Sequence, residues 1–536
     1  MMRKIYLAVT SLFLTFSLIG QQNIELAGEL EYSAGLSDIW GFTDNTGIEY
    51  ALVCVKGTFG NTGGLSVVSL EDPANPVEVY YKPGQKSTWR DVKTYNGYAY
   101  VVTDVEPDNE GLVIINLNGL PDETSITDTV FHAPEWEQAH NIYIDENGVM
   151  YVFGSQQGNG GVVMYDLTDN PLIPVELGDY EAAYVHDGMA RGDTLYTGNV
   201  YAGTFSVVDV SDKQNPEYLG GAETPNAFCH NVWVSDDGNY VYTTDEQSGA
   251  YITGYDISDL DDVEETDRIR FDPGSGTIVH NVHFMNNYLI TSYYKAGVTI
   301  HDVSDPWNII QTGHYDTSPQ SGNGFNGAWG VYPFFESETI VVSDISEGLF
   351  VLTPSYTRAS RLEGQITDGP TGDPVFDAEI TILDIEIEKI VNSDVSGMYK
   401  TGMAEDGLWD VMVSADAYPE DVIVEGVEFV NGEVTILNVV MGEVANAIDE
   451  NSVWENVKVY PNPVNDQLRL SLPNDISLEN IELVISDLSG KIVYNEKVSA
   501  HEANYSLSSD LEQGMYILSL NSSENALYRT KIFISK

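Results

Sequence analysis

The sequence predicts an all-β protein in which a seven-bladed β-propeller is followed by two small β-sandwich domains. Three observations support this fold class. A strand-rich unit recurs seven times, residues typical of tight turns separate the strands of each unit, and from Arg361 the repeat gives way to a different pattern of short strands. The 536 residues include 42% hydrophobic and 11% aromatic side chains, so large cores can form and extensive disorder is excluded.

A repeated unit organises residues 24 to 358. Each unit opens with a strand that starts with a large polar or aromatic residue and a smaller partner, and successive openers are 50, 50, 46, 44, 50 and 49 residues apart. The seven opening residues are Trp40, Arg90, His140, His186, His230, His280 and Trp329. A turn such as DENG at 145–148 then leads into a β-branched and aromatic run, which makes a hairpin with the opening strand.

The second half of each unit supplies two more strands. A glycine-led strand ends in an acidic turn, as in GTFSVVDVSDKQNP at 203–216, and the proline after the turn begins a fourth strand such as PEYLGGA at 216–222. Seven four-stranded antiparallel units predict a propeller, because radial closure protects the sheet edges. An open solenoid is the alternative, and it would leave both ends uncapped.

The last unit lacks a fourth strand of its own. Its first three strands are expected at 327–333, 339–344 and 348–354, whereas the segment IELAGELEY at 24–32 has the fourth-strand pattern and precedes the first unit. We therefore predict a propeller domain at 21–358 in which residues 24–32 close blade seven.

Two segments of the repeat carry a family resemblance. GVTIHDVSDP at 297–306 and FSVVDVSD at 205–212 resemble the LVIVD repeat of the choice-of-anchor B family of secreted propeller proteins. Members of that family differ in their C-terminal anchoring devices. The resemblance implies an architecture and a secreted location, and it implies no particular chemistry.

A second domain is expected at 359–442, where short strands alternate with Gly and Pro turns. Its segments SGMY at 396–399 and VSADAY at 413–418 resemble the carboxypeptidase regulatory-like domain. That resemblance implies a β-sandwich that serves as a spacer, with contact to a glycan or a partner as the alternative.

The chain ends with a third domain at 457–536, after a polar linker at 443–456. Its segments VYPNPVNDQLRLSL at 459–472 and VISDLSGKIVYNEK at 484–497 resemble the type A C-terminal sorting domain of the type IX secretion system. The residues on matching positions are Pro461, Asn462, Pro463, Gly490, Gly514, Tyr516 and Lys536. The resemblance implies the type IX secretion machinery as a partner, and a mature protein that is secreted or attached to the outer cell surface.

The amino terminus has the features of a signal peptide at 1–20. An apolar run from Ile5 to Ile19 follows two basic residues, and cleavage is expected between Gly20 and Gln21. The run is shorter than the ~20 residues of a membrane span and no later segment approaches that length, so no transmembrane segment is expected. The net charge of −60 repels phosphate backbones, which excludes nucleic acid as a partner.

The mouth of the propeller channel is the predicted site. The seven openers should surround it, accompanied by three carboxylates at second-strand ends, Asp104, Asp245 and Asp344. The four histidines could bind a divalent metal ion, the one cofactor that the pattern suggests, because neutral imidazole suits Zn, Cu, Fe and Ni. Trp40, Arg90 and Trp329 cannot be ligands, which favours two alternative roles for the openers: hydrogen bonding to neighbouring blades, or lining a site for a small ligand.

These features predict a secreted or cell-surface binding protein, with an extracellular protein, glycan or small molecule as its ligand. The alternative is a metal-dependent hydrolase or oxidoreductase that uses the histidines, with Asp245 as the base. The sequence has none of the common catalytic motifs, such as G-x-S-x-G or H-E-x-x-H.

Overall fold

The computed structural model of the protein describes residues 21–57, 63–104, 110–385, 389–442, 457–474, 478, 480–487, 490–507, 511–521 and 526–535. The predicted signal peptide at 1–20, the predicted linker at 443–456 and Lys536 lie outside the described residues. The described part is all-β, and its one helical element is the 3₁₀ turn η1 (Glu123–Ser125).

The described residues between 24 and 354 form twenty-eight strands. In chain order they are β1 (Ile24–Leu30), β2 (Leu36–Thr43), β3 (Glu49–Val55), β4 (Gly64–Ser69), β5 (Val77–Pro83), β6 (Arg90–Tyr95), β7 (Tyr98–Thr103), β8 (Leu112–Asn116), β9 (Thr127–Phe131), β10 (Asn141–Ile144), β11 (Val149–Phe153), β12 (Val162–Asp166), β13 (Val175–Tyr180), β14 (Asp187–Arg191), β15 (Thr194–Asn199), β16 (Thr204–Asp209), β17 (Glu217–Glu223), β18 (Cys229–Val234), β19 (Tyr240–Asp245), β20 (Ile252–Asp256), β21 (Glu264–Ile269), β22 (Val282–Met285), β23 (Tyr288–Ser292), β24 (Val298–Asp302), β25 (Ile310–Tyr315), β26 (Ala328–Tyr332), β27 (Ile340–Asp344) and β28 (Gly348–Pro354).

These strands make seven four-stranded antiparallel sheets within the described residues. Six sheets consist of consecutive strands, namely β2–β5, β6–β9, β10–β13, β14–β17, β18–β21 and β22–β25. We number these sheets one to six. Sheet seven has the order β26, β27, β28, β1, and β1 pairs with β28 from Ile24 opposite Pro354 to Leu30 opposite Leu349. The leading strand and the last strand of this region therefore share one sheet.

Neighbouring sheets pack face to face through their apolar side chains. The opening strands β2, β6, β10, β14, β18 and β22 contact one another in that order, sheet six contacts β26 through β23, and β26 contacts β2. Apolar clusters fill the spaces between neighbours: sheets one and two share a cluster with Leu52 and Val101, and sheets seven and one share a cluster with Val351 and Val53. Burial on both faces explains the continuous apolar runs of the inner strands.

The hairpin turns follow their local sequence. In the turn between β10 and β11, the Asp145 carboxylate accepts hydrogen bonds from the backbone N–H groups of Asn147 and Val149, at 2.9 and 2.8 Å. Gly148 follows with φ of +79°, a left-handed conformation that glycine adopts without strain. This turn fixes the register of the hairpin that begins with His140.

The remaining strands form two further β-structures. The first contains β29 (Ser360–Asp368), β30 (Glu379–Ile382), β31 (Val391–Asn392), β32 (Met398–Met403), β33 (Gly407–Ser414), β34 (Val422–Phe429), β35 (Val434–Ile436) and β36 (Val439–Met441), in two four-stranded sheets over one apolar core. The second contains β37 (Lys458–Tyr460), β38 (Gln467–Ser471), β39 (Glu482–Ser486), β40 (Ile492–Lys497), β41 (Glu502–Ser506), β42 (Gly514–Asn521) and β43 (Ala526–Ile534), in a three-stranded and a four-stranded sheet.

An ionic junction joins sheet six to β29. The fully buried carboxylate of Asp302 lies 2.9 Å from Arg358 and 3.0 Å from Arg361, and it accepts a hydrogen bond from the Ala359 N–H at 2.8 Å. Burial alone would raise the pKa of Asp302, but the Arg361 charge and the hydrogen bonds outweigh it and hold that pKa below its ordinary value. The junction is therefore a buried carboxylate compensated by the buried Arg361 and the partly exposed Arg358.

Candidate functional site

Four histidines lie side by side where the opening strands of sheets three to six converge. We call His140, His186, His230 and His280 the histidine row. Successive ring centroids are 4.1, 4.2 and 4.4 Å apart. The row continues into Trp329, whose ring centroid is 5.1 Å from that of His280, and begins beside Trp89, 6.4 Å from His140.

Irregular strand pairing directs part of this row inward. The pairing of β18 with β19 shifts between Cys229 and Asn231, so that His230 has no partner across the ladder. The pairing of β26 with β27 shifts in the same way between Ala328 and Gly330, around Trp329. A bulge of this kind bends the strand and changes the direction of the side chain that it frees.

Hydrogen bonds between neighbouring sheets show which residues occupy equivalent opening positions. In three sheets, a hydroxyl group of the second strand donates to the carbonyl of the opening residue in the next sheet. Thr244 donates a hydrogen bond to the carbonyl of His280, Ser292 donates to that of Trp329, and Ser343 donates to that of Ser37, at 2.5, 2.8 and 2.5 Å. Ser37 is therefore the residue of sheet one that corresponds to Trp329. The prediction that Trp40 opens the first unit is wrong, because a Trp-Gly pair three residues further along resembles the opening pair of the last unit.

Trp40 belongs to a separate layer of aromatic side chains. Its ring packs against Tyr332 at 4.9 Å and His283 at 6.1 Å between centroids, and Trp233 stacks on Phe334 at 5.6 Å. Sheet one thereby contacts sheet six, although these sheets are not neighbours. We call this layer the aromatic plug, and we call the cavity lined by the histidine row the cup.

A polar floor lies between the histidine row and the plug. Lys93 donates to Asp91 at 2.6 Å and to Asp38 at 3.2 Å, and Asn231 donates to Asp187 at 2.7 Å. These groups also join neighbouring sheets: Asp91 accepts from the Ile142 N–H, and Asn231 accepts from the Val282 N–H. The cup above the floor is a cavity of about 50 Å³.

The three predicted carboxylates have different positions. Asp104 lies beside the cup, with its Oδ2 atom 3.4 Å from Nδ1 of His140. Asp245 instead accepts hydrogen bonds from Thr224 and from two backbone N–H groups in the loop 224–228. Asp344 accepts from Thr317 and from the turn that follows it. The prediction that Asp245 and Asp344 face the site is wrong, because both are used to cap loops.

Glu246 is the carboxylate that faces the histidines. Its two oxygens lie 3.9 Å from Nε2 of His230 and 3.7 Å from Nε2 of His280, and Tyr294 donates a hydrogen bond to it at 2.6 Å. Among the described residues, this is the one set of three or more His, Cys, Asp or Glu side chains whose ligand atoms all lie within 4.8 Å of one another. The sequence signal for it is slight, since Glu246 directly follows Asp245 in the run YVYTTDE.

Burial sets the protonation states in the cup. It lowers the pKa of His280 to about 3 and holds the pKa values of His186 and His230 well below the ordinary value, with the neighbouring imidazoles adding to the effect. Burial also raises the pKa of Glu246 to about 7, although the Tyr294 hydrogen bond opposes this. His186, His230 and His280 are therefore neutral at pH 7.

Arg90, the opener of sheet two, lines the cup but has its charge engaged elsewhere. Its guanidinium forms a buried ion pair with Glu110 at 3.1 Å and donates to the carbonyls of Val55 and Gln85. The cup is therefore lined by Arg90, the four histidines and Trp329. Asp104 lies beside it at His140, and Trp40, Asp245 and Asp344 do not line it.

The predicted sorting residues hold the last domain together. Asn462 donates to the Lys531 carbonyl at 3.0 Å and accepts from the Phe533 N–H at 2.7 Å, which fastens the 461–463 segment to β43. Gly490 adopts a φ of +83°, and the Tyr516 hydroxyl donates to the Glu512 carbonyl at 3.0 Å. Gly514 lies opposite Ile534 at the start of β42.

Comparisons with known proteins assign this last domain. The secretion system C-terminal sorting domain family matches residues 458–535. A stretch of 80 residues is 35% identical to the ulvan lyase NLR42 of Nonlabens ulvanivorans, and it covers 15% of this chain and 14% of that protein. No helix in the described part of the chain is both long enough and apolar enough to cross a bilayer. The chain thus carries a type IX sorting domain, and it is secreted or attached to the outer cell surface.

Proposed function

We propose that this chain is a secreted binding protein that holds its ligand at the histidine-lined cup of a seven-bladed β-propeller. The observation that carries the proposal is the convergence of opening strands from consecutive sheets on one cavity with a closed floor. Ligand sites concentrate in such concave places on rigid scaffolds. Export through the type IX system delivers this cup to the cell exterior.

The propeller assignment covers residues 21–358. Its support is the order of contacts between neighbouring sheets, the return of that order from sheet seven to sheet one, and the pairing of β1 with β28. The likeness of the repeats to the LVIVD repeat of the choice-of-anchor B family agrees with it. In the same proposal, residues 359–442 are a carboxypeptidase regulatory-like spacer that packs on sheet six through Asp302.

The dimensions of the cup suggest how a ligand is held. A cavity of about 50 Å³ admits an ion or the tip of one chemical group, whereas pockets for whole small molecules measure roughly 300–1,000 Å³. Three exposed aromatic side chains form what we call the rim. Trp89 lines the cavity beside His140, Tyr201 packs against Tyr184, and Phe325 packs against Tyr294, with exposures of 45, 78 and 63%. We propose that this rim contacts an extracellular glycan or protein, because exposed aromatic groups are enriched at binding surfaces.

The rim can be tested by binding to arrays of soluble glycans and peptides. The mature full chain is compared with the double variant Trp89→Ala, Tyr201→Ala and with Tyr218→Ala, which removes a 60% exposed tyrosine from the outer strand β17. We expect a ligand-specific signal that the double variant loses and Tyr218→Ala retains. A signal that survives the double variant, or no signal above background, would contradict the proposal.

A metal-dependent hydrolase or oxidoreductase is the second candidate. One observation favours it: Glu246, rather than the predicted base Asp245, stands beside the neutral His230 and His280. Together these three side chains could hold a metal ion, which would activate a bound water for hydrolysis. Turnover of chromogenic esters by the zinc-loaded chain, lost in Glu246→Gln, would support it. The lyase activity in the relative's name is not carried over, because the match covers only 15% of this chain.

A further inference from the structure

We propose that His230, Glu246 and His280 form a site for one divalent transition-metal ion of the zinc type. This inference rests on the proposed function, since it names what the cup holds at its centre. It also narrows the predicted site, because it replaces two of the four histidines with a carboxylate that the sequence did not single out.

The donor set has the composition of a known class of metal centre. Two imidazoles and one carboxylate, with a further position open to water, bind zinc in many catalytic sites and bind Fe(II) in others. The cavity has room for water, which needs at least ~10–15 Å³. An ion bound at ~2.0–2.1 Å from each atom places tetrahedral ligands roughly 3.3 Å apart. The observed separations are wider: 3.9 Å from His230 to one oxygen of Glu246 and 3.7 Å from His280 to the other, with all ligand atoms within 4.8 Å of one another. Binding therefore requires these side chains to rotate towards the ion.

The outer contacts already orient two of the ligands. Nδ1 of His280 lies 2.5 Å from the carbonyl oxygen of Trp329, which can only accept, so Nδ1 carries the proton and Nε2 presents a lone pair towards Glu246. Tyr294 fixes Glu246 from the other side through its 2.6 Å hydrogen bond. Metal-bound histidines and carboxylates characteristically have such partners.

The hydrogen bond from His280 to Trp329 also shows that a structural role and a ligand role can coexist in one opener. It is the bond to a neighbouring sheet that the repeat pattern predicts if the openers serve the architecture rather than a metal ion. It uses one ring nitrogen and leaves the other free. Blade-to-blade hydrogen bonding by the openers and metal binding by His280 are therefore compatible.

The electrostatic surroundings favour a cation. Nearby positive groups are engaged elsewhere: Arg90 with Glu110, and Lys93 with Asp91 and Asp38 beneath the cup. Lys56 is an exception: it lies over the ring of Trp329, 4.4 Å from its centroid, and its charge opposes a second positive charge at His280. The chain as a whole carries a net charge of −60, which raises the local concentration of cations.

The other members of the row are not ligands in this proposal. His140 is two rings away from His230 and has its own carboxylate partner, Asp104. His186 lies between them, and no carboxylate completes a set with it among the described residues. His140→Ala is therefore a matched control, since it removes an imidazole from the same row without touching the three ligands.

The test uses the mature full chain, stripped of metal with a chelator and titrated calorimetrically with Zn²⁺. Co²⁺ absorption serves as a second readout of the ligand set. We expect one ion per chain, and an affinity roughly 100-fold weaker in Glu246→Gln and in His280→Ala. Tyr294→Phe keeps the ring but loses the positioning hydrogen bond, and should weaken binding by roughly 10-fold. Circular dichroism establishes that each variant is folded.

The outcomes separate this inference from the proposed function. Absence of stoichiometric Zn²⁺ binding, or equal weakening by His140→Ala and His280→Ala, would overturn the three-ligand site. Array binding that remains sensitive to Trp89 and Tyr201 would leave the proposed function standing in either case. If Zn²⁺ binds but the array signals do not change in the Trp89→Ala, Tyr201→Ala double variant, the metal site is supported and the rim is not the ligand-binding surface.

Discussion

The cup and the Asp302 junction are both buried polar clusters, but their charges are balanced differently. At the junction, one carboxylate faces two guanidinium groups and a backbone N–H, and the pKa of Asp302 is lowered. In the cup, Glu246 faces two neutral imidazoles and a tyrosine hydroxyl, and its pKa is raised to about 7. A buried carboxylate that is paired with arginine side chains holds two domains together. A buried carboxylate that faces neutral imidazoles has the surroundings of a metal ligand.

The largest expected effect comes from breaking the junction. Asp302→Ala leaves Arg358 and Arg361 without their buried partner, and losing one member of such a cluster typically costs about 3–5 kcal/mol. Equilibrium urea unfolding of the full chain measures the free energy of unfolding. A loss below about 1 kcal/mol would show that the junction is not a compensated ion cluster.

The aromatic plug should contribute less, mainly through contacts between its rings. Trp40→Ala removes contacts with Tyr332 and His283, and a large aromatic deletion of this kind costs about 3 kcal/mol when the site is packed. Because Trp40 does not contact Glu246, Zn²⁺ affinity should remain within a few-fold of the original. A large change in Zn²⁺ affinity would mean that the geometry of the metal site depends on the packing of the plug.

A carboxylate in the polar floor should give stability a pH dependence. Burial raises the pKa of Asp187 to about 6 from an ordinary 3.8, with Asp91 adding to the rise and hydrogen bonds opposing it. Its contribution is fully present below pH 3.8 and is lost as the pH rises through about 6, a loss of up to about 3 kcal/mol. Urea unfolding of wild type and Asp187→Asn over this range should show their difference moving in favour of the variant. A constant difference would contradict the prediction.

An exposed ion pair gives the smallest effect. Lys82 and Asp128 pair across the outer strands β5 and β9, and each side chain keeps about a quarter of its surface in water. Lys82→Ala should change the free energy of unfolding by less than about 1 kcal/mol, and the difference should shrink in high salt. If Lys82→Ala changed the free energy of unfolding as much as Asp302→Ala does, burial would not explain the difference between the two ion pairs.

The sequence predicted the repeated sheets well because their signals are local. Turn residues, β-branched runs and the spacing of His140, His186, His230 and His280 recur in the chain itself. The prediction of the first opener was wrong because Trp40-Gly41 has the same two residue types as the last opening pair, whereas the residue in the equivalent position is Ser37. A comparison of residue types alone cannot distinguish two alignments of the repeat that differ by three residues.

Glu246 could not be selected from the chain because strand alternation fails at this place. The pairing of β18 with β19 is irregular around His230, directly opposite the end of β19 that leads to Asp245 and Glu246. Which of two successive acids faces the cup then depends on the loop 224–228, whose N–H groups bind Asp245. Such a long-range contact leaves no periodic signal in the sequence.

The most direct test of the central claim is a crystal structure of the mature chain soaked in Zn²⁺, with anomalous diffraction recorded at the zinc edge. We predict one strong peak, ~2.0–2.2 Å from Nε2 of His230, from Nε2 of His280 and from a carboxylate oxygen of Glu246. No peak in the cup, or a peak bound by His140 and His186, would contradict the account.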